Sequence, residues 1–278
     1  MGHYLVTGSS TGIGEACVRR LDDLGHHVYA GVRREADGDR LRRSGSARLT
    51  PLPCDITDEA AVAAVAARIA DEAGRLDGVV NNAGVAVGGP IEFLPLDDWR
   101  RQFEINVFGQ LAVTRAVLPL IRAGRGRVVF IGSTSGRVAT PLLGPYCASK
   151  FAIEGIGETL RHELHPWGIA VSVVEPGAVR TAIWDKGRGE VARLEVELPA
   201  EARRLYARHI AAVRKGIEDQ ERQGVGPEKV ADAVQHALLA RRPRTRYAVG
   251  TDARIQFALV RLLPDRPREA IIRRFAGP

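Results

Sequence analysis

The chain has 278 residues, 45% apolar and 26% charged, which fits one large α/β domain with a sizeable core and places it among soluble globular proteins. No uninterrupted apolar run reaches the ~18 residues of a membrane-spanning helix, and residues 1–7 lack a signal-peptide pattern, so membrane association is not expected. The three cysteines, Cys17, Cys54 and Cys147, form no C-x-x-C pair; this argues against a disulfide framework or a metal site and points to the cytoplasm. A net charge of +7 raises nucleic acid as a partner, but the 40 basic residues include only four lysines, the arginines are scattered and aromatics make up only 5%, so composition bias is the better reading.

Strand and helix patterns alternate along the chain. A β-rich run at 3–7 leads through a glycine-rich turn into a helical pattern at 13–24 that stops at Gly25. Strands follow at 27–32 and around 47–53. Asp58 caps an Ala/Val-rich helix that ends near Gly74. A strand at 76–81, a long helical stretch at 96–122, a strand at 127–133, a helix at 146–165 and a strand at 169–175 come next, and a seventh strand falls at 246–250. The strands are short, nearly continuous apolar runs, as expected where helices cover both faces of a parallel sheet. The fold class predicted is α/β: a single Rossmann-type domain spanning 1–278, doubly wound, with a mostly seven-stranded parallel sheet. Residues 178–226 break the rhythm and read as a lid insertion over a substrate.

Thr7-Gly8-Ser9-Ser10-Thr11-Gly12-Ile13-Gly14 lies between the first strand and the first helix. Glycines there allow a tight turn and close backbone approach, and the helix N-terminus presents N–H groups to a pyrophosphate. The second strand ends in Ala30-Gly31-Val32-Arg33. No carboxylate stands there to accept from a ribose 2′-OH, whereas Arg33 could pair with a 2′-phosphate, so NADP(H) is favoured and NAD(H) is the alternative.

Tyr146 and Lys150, four residues apart on a predicted helix, share one face. A neighbouring ammonium favours the phenolate, which makes the pair a general acid/base for a carbonyl oxygen. Ser133, at the end of the fifth strand, could hold the substrate oxygen beside the phenol, and from spacing alone Ser135 is its rival.

Taken together, residues 7–14, Asn81-Asn82-Ala83-Gly84, Ser133, Tyr146-Cys147-Ala148-Ser149-Lys150 and Pro176-Gly177-Ala178-Val179-Arg180-Thr181 resemble the classical short-chain dehydrogenases/reductases over about residues 3–182. The stretch 146–155 and the second-strand end are similar to the hydroxysteroid and retinol dehydrogenase branch. The resemblance implies an oxidoreductase that moves a hydride between NAD(P)(H) and a bulky apolar ketone or secondary alcohol. Tyr146 would be the acid/base and Lys150 its partner at the nicotinamide ribose. Ser133, preferred over Ser135, would orient the carbonyl, and Asn106 would hold a relay water. Gly8, Ser10, Gly12, Ile13 and Gly14 would cradle the pyrophosphate. Asp55 and Ile56 would meet the adenine, and Asn82, Ala83 and Gly84 the adenosine ribose, with Asn81 a strand-stabilising residue. Val179 and Thr181 would hold the carboxamide, and Pro176 and Gly177 would also touch the cofactor. Thr11 stands where some NADP-dependent relatives carry a basic residue. A homodimer or homotetramer is implied as well.

Other classes fit less well. A non-catalytic nucleotide sensor would be expected to have lost Tyr146, Lys150 or Ser133. An extended-family epimerase would have a differently spaced glycine turn. The segments expected to choose the substrate are 85–93, 139–145 and 178–226, with Trp184, Leu194 and Tyr206 as apolar lid candidates. The apolar stretch 255–263 is expected to be buried within the chain.

Overall fold

A computed structural model describes residues 1–181, 189 and 196–276. Seven strands form one sheet: β1 (His3–Val6), β2 (His27–Val32), β3 (Leu49–Pro53), β4 (Gly78–Asn81), β5 (Arg127–Ile131), β6 (Ala170–Pro176) and β7 (Arg246–Val249). Their order is β3-β2-β1-β4-β5-β6-β7, and every pairing is parallel. The chain winds outward in both directions from β1. The crevice between β1 and β4, at the C-terminal strand ends, is where such sheets take their ligands.

Both sheet faces are covered, as the apolar strands require. On one side Val18 and Leu21 of α1 (Gly12–Asp23) and Leu41 of α2 (Glu35–Ser44) pack with Val230, Val234 and Leu238 of α9 (Pro227–Leu239). On the other, Val62, Val65 and Ile69 of α3 (Glu59–Ala73) meet Val113, Val117 and Ile121 of α5 (Gln110–Gly124) and Ile153 of α6 (Gly144–Glu163). Asp58 caps α3 as expected: its carboxylate accepts from the backbone N–H groups of Ala60 and Ala61 at 2.9 and 3.1 Å. The long helical stretch runs as α4 (Leu96–Phe103), a π-helical turn (Glu104–Gly109) and α5.

Two expectations need correction. Residues 35–44 form a helix that the sequence pattern did not announce; its polar run buries only Gly38 and Leu41, too few to show a periodic stripe. The apolar stretch 255–263 lies mostly in α10 (Thr251–Leu262) and is not buried as expected: Ile255 and Leu262 are 56% and 76% exposed, because this helix lies beyond the edge strand β7 and only Ala253 is buried.

Within residues 196–226, Leu198, Ala202 of α7 (Ala200–Leu205) and Ile210 of α8 (Ala207–Gln223) form a small core with Leu142 and Phe93. Tyr206 packs edge-on to Phe93 at 6.2 Å and donates to Glu92 at 2.7 Å. The three segments expected to choose the substrate therefore meet one another. Trp184 and Leu194 lie outside the described residues.

Candidate active site

The glycine turn has the shape that a close-lying phosphate needs. Gly8 and Gly12 have φ of +65° and +61°, and a Cβ on Gly14 would lie 2.2 Å from the Gly8 carbonyl oxygen. Thr11 makes no side-chain cap at the start of α1, which leaves the first-turn N–H groups to face an anion. These observations fit a dinucleotide pyrophosphate. Gly12 also abuts Thr181, with a Cβ there 3.1 Å from the threonine, so the pyrophosphate turn and the 176–181 loop form one wall.

At the adenosine end Arg33 is exposed and engages no ion pair among the described residues, whereas Asp37 holds Arg34 at 2.8 Å. Arg40, which the sequence reading passed over, reaches from α2 to the Ser10 carbonyl and pairs with Glu15 at 2.9 Å, closing the turn from outside. Asp55 accepts from the backbone and hydroxyl of Thr57. Those bonds, with Arg33 nearby, hold its carboxyl below the usual range. Ile56 is buried against Gly109.

Asn82 does more bracing than facing. Its amide donates to the carbonyls of Thr7 and Gly8 at 2.9 and 3.0 Å, tying β4 to the glycine turn. Asn81 donates to Thr114 at 2.8 Å, in keeping with a strand-stabilising role. The segment leaving β4 is held by a ladder of amides from the long helix. Gln110 donates to Ala83 O at 2.8 Å. Asn106 donates to Val85 O at 2.9 Å and accepts from Val85 N at 2.8 Å. Gln102 donates to Val85 O at 2.9 Å and accepts from Val87 N at 2.7 Å. Two residues of extended chain rise about 6.6 Å and four of helix about 6.0 Å, so every second residue of the segment meets every fourth residue of the helix. Asn106 thus spends its side chain on this segment and on Ser149, 3.2 Å away, from a π-helical turn of the kind often found at functional sites. Gln102 and Gln110 went unread; buried amides at 102, 106 and 110 along an apolar helix were the signal.

The candidate acid/base residues converge at the end of β5. Ser133 neighbours the Tyr146 phenol, and the Ser135 backbone N–H donates to Ser133 Oγ at 3.1 Å. Burial pushes the Tyr146 phenol up from its ordinary value, and the neighbouring Ser133 hydroxyl opposes this. The Lys150 ammonium lies 5.7 Å from the centre of the Tyr146 ring and donates to Ile131 O at 2.7 Å. Its burial lowers its own pKa to about 8, with Glu154 opposing. Burial is the largest influence on the phenol, so among the protein's own groups its pKa is raised.

The loop after β6 is fixed by contacts distant in sequence. The Gly177 N–H donates to Val249 O at 3.0 Å. Asp252 accepts from Ala178 N at 2.7 Å, and its carboxylate occupies the space a Gly177 Cβ would need. Val179 is bridged to Val225, and Arg180 donates to Gly224 O at 2.6 Å, stitching the segment after α8 to this loop.

Comparison with known proteins gives a consistent result. Residues 3–191 match the family model described as short chain dehydrogenase. The chain is 37% identical to mouse (Mus musculus) retinol dehydrogenase 5, over 96% of this chain and 86% of the relative. It is 34% identical to an NADPH-dependent 3-dehydrocapnine reductase of Ornithobacterium rhinotracheale, over 98% and 96%. Among solved structures, a short-chain dehydrogenase from Streptomyces avermitilis superposes with a TM-score of 0.77 at 30% identity, covering 92% of this chain and 90% of that one. Another from Burkholderia cenocepacia, in complex with NADP, gives 0.75 at 25% identity over 100% and 98%.

Proposed function

Because the chain belongs to the short-chain dehydrogenase/reductase family, we propose that it interconverts a bulky apolar ketone and its secondary alcohol, with Tyr146 as the general acid/base. The observation that carries this reading is the convergence of Ser133, Tyr146 and Lys150 at the end of β5, with the Lys150 ammonium 5.7 Å from the centre of the Tyr146 ring and Ser133 beside the phenol. Family membership makes the chain an oxidoreductase, and NADP(H) is the favoured cofactor. The nicotinamide supplies or accepts the hydride. The Ser133 hydroxyl holds the substrate oxygen, and Tyr146 gives that oxygen a proton in reduction or takes one in oxidation. Lys150 would meet the nicotinamide ribose, and Val179 and Thr181 the carboxamide. The Asn106 side chain is bonded to Val85 and Ser149 and so positions the site wall, and Asn106 would hold the relay water through a remaining lone pair or its backbone carbonyl.

The apolar cluster of Leu142, Leu198, Ala202, Ile210, Phe93 and Tyr206 beside the site supports a bulky apolar substrate, as do the retinol dehydrogenase relatives. On this reading 178–226 is a lid on a single 1–278 domain, working in the cytoplasm as a dimer or tetramer. The helical stretch Leu96–Gly124 is long and apolar enough to cross a membrane by length and composition, but half of it is buried and its inward amides are bonded to 83–87.

Tyr146→Phe removes only the proton-transfer group. Tryptophan quenching by NADPH should survive, while reduction of aryl, steroid and retinoid carbonyls, followed by NADPH absorbance, should fall by about 10²–10⁴-fold. Near-wild-type turnover in this variant would overturn the assignment.

A further inference from the structure

Glu154 lies one turn beyond Lys150 on α6, and its side chain is only 10% exposed. Its Oε2 accepts from Arg246 Nε at 3.0 Å and lies 3.6 Å from Arg137 Nη2. Its Oε1 is buried and has no donor among the described residues. Glu175, on β6 and 1% exposed, accepts from Arg137 Nε at 2.7 Å, so one guanidinium bridges the two carboxylates and holds them side by side. The charged and titratable groups facing this pair are Lys150, Glu158 and Arg161 from α6, Arg137 from the turn after β5 and Arg246 from β7. Phe257 of α10 stacks on Arg137 at 5.4 Å and shields it.

Two ionised carboxylates are both acceptors, so a bond between them needs a proton on one. A proton on Glu175, donated to Glu154 Oε1, would give the orphaned oxygen its partner. We propose that Glu154 and Glu175 share one proton, and that this carboxyl pair is a positioning device that keeps the Lys150 ammonium charged behind Tyr146. The proposal rests on the reading of Tyr146 and Lys150 as the acid/base pair. Burial and the neighbouring carboxylate both push Glu175 well above the usual carboxylate range, with Arg137 pulling the other way. With the pair holding one proton, a single negative charge faces Lys150 and counters the burial that drives its proton off.

Infrared spectra of the full-length protein with ¹³C-labelled glutamate test the shared proton directly. At neutral pH a protonated-carboxyl band that moves with the label is expected, and it should vanish in Glu175→Gln. Absence of the band in wild type, or its survival in Glu175→Gln, would overturn the proposal. The pH profile of kcat for NADPH-driven reduction of an aryl ketone tests the link to Lys150. Glu154→Gln should move the basic limb toward acid by about one pH unit, the effect of losing a nearby opposite charge. Glu175→Gln keeps a donor for Glu154 and should move it less. If Glu154→Gln does not fold, Glu175→Gln carries the test through its band and its limb. An unmoved limb in Glu154→Gln alongside an inactive Tyr146→Phe overturns this proposal and leaves the site reading intact. An active Tyr146→Phe overturns the site reading and the link to Lys150 with it, and the infrared band then decides proton sharing by itself.

Discussion

Lys150 pays in stability for its place in the site. Its pKa is lowered to about 8, chiefly by burial, whereas an unfolded lysine titrates near 10.5. Between those values the unfolded chain binds the extra proton, so this group makes folding more favourable as pH rises from about 8 to 10.5. Below 8 the whole cost of burying the ammonium is present, about 3 kcal/mol by that shift. Lys150→Met removes the cost but also the bond to the Ile131 carbonyl, itself about 1 kcal/mol. The variant should therefore be more stable than wild type by about 1–2 kcal/mol in urea melts at pH 7 without cofactor. It should also be inactive. A less stable Lys150→Met would show that the ammonium is well solvated or well paired in the fold. Tyr146, Lys150 and Ser133 were legible in the sequence because one helical turn and one strand end set their relation. Glu175, Asp252 and Arg40 were not, because each acts on a group 21 to 74 residues away that only folding brings near.

Among the elements, the long helix with its π-helical turn is the scaffold of the site wall. Gln102 supplies two of the bonds that fix Val85 and Val87, in a place where no water-exposed substitute is at hand. Gln102→Leu keeps the bulk and leaves the Val87 N–H and the Val85 carbonyl short of a partner. A loss of about 2–3 kcal/mol is expected from thermal or urea melts. Because Val85 and Val87 lie within 85–93, a segment proposed to choose the substrate, KM for a bulky ketone should rise more than kcat falls. Equal stability in the variant would mean that the segment holds its shape without the ladder. The βαβ alternation was readable because strands buried on both faces leave continuous apolar runs. The ladder was less so: a π-helical turn has no composition of its own, and a buried glutamine looks like an ordinary helix former. The exposure of α10 was also hidden, since apolar content alone does not say whether another layer lies above a helix.

At the scale of the whole molecule, the candidate cofactor site belongs to no one element. It gathers the turn after β1, the end of β2, the braces from β4, the serine after β5 and the loop after β6, which is itself tied to β7, α10 and the segment after α8. A ligand that touches all of these binds the folded chain and not the unfolded one, so it stabilises the fold as a unit. At 100 times its Kd, NADPH should add about 2.7 kcal/mol, or about 5 °C in Tm for a chain of this size. The adenosine end decides which dinucleotide achieves this. Arg33, just after β2, is exposed and makes no ion pair among the described residues, and Arg34 is already taken by Asp37. At matched concentrations NADPH should raise Tm more than NADH does. Arg33→Ala should reduce the NADPH shift toward the NADH value while leaving the NADH shift and the ligand-free Tm unchanged, since an exposed arginine without an ion pair holds nothing else in place. If the NADPH shift survives in Arg33→Ala, the 2′-phosphate is held elsewhere at this end, and Arg40 and Ser10 become the groups to change next.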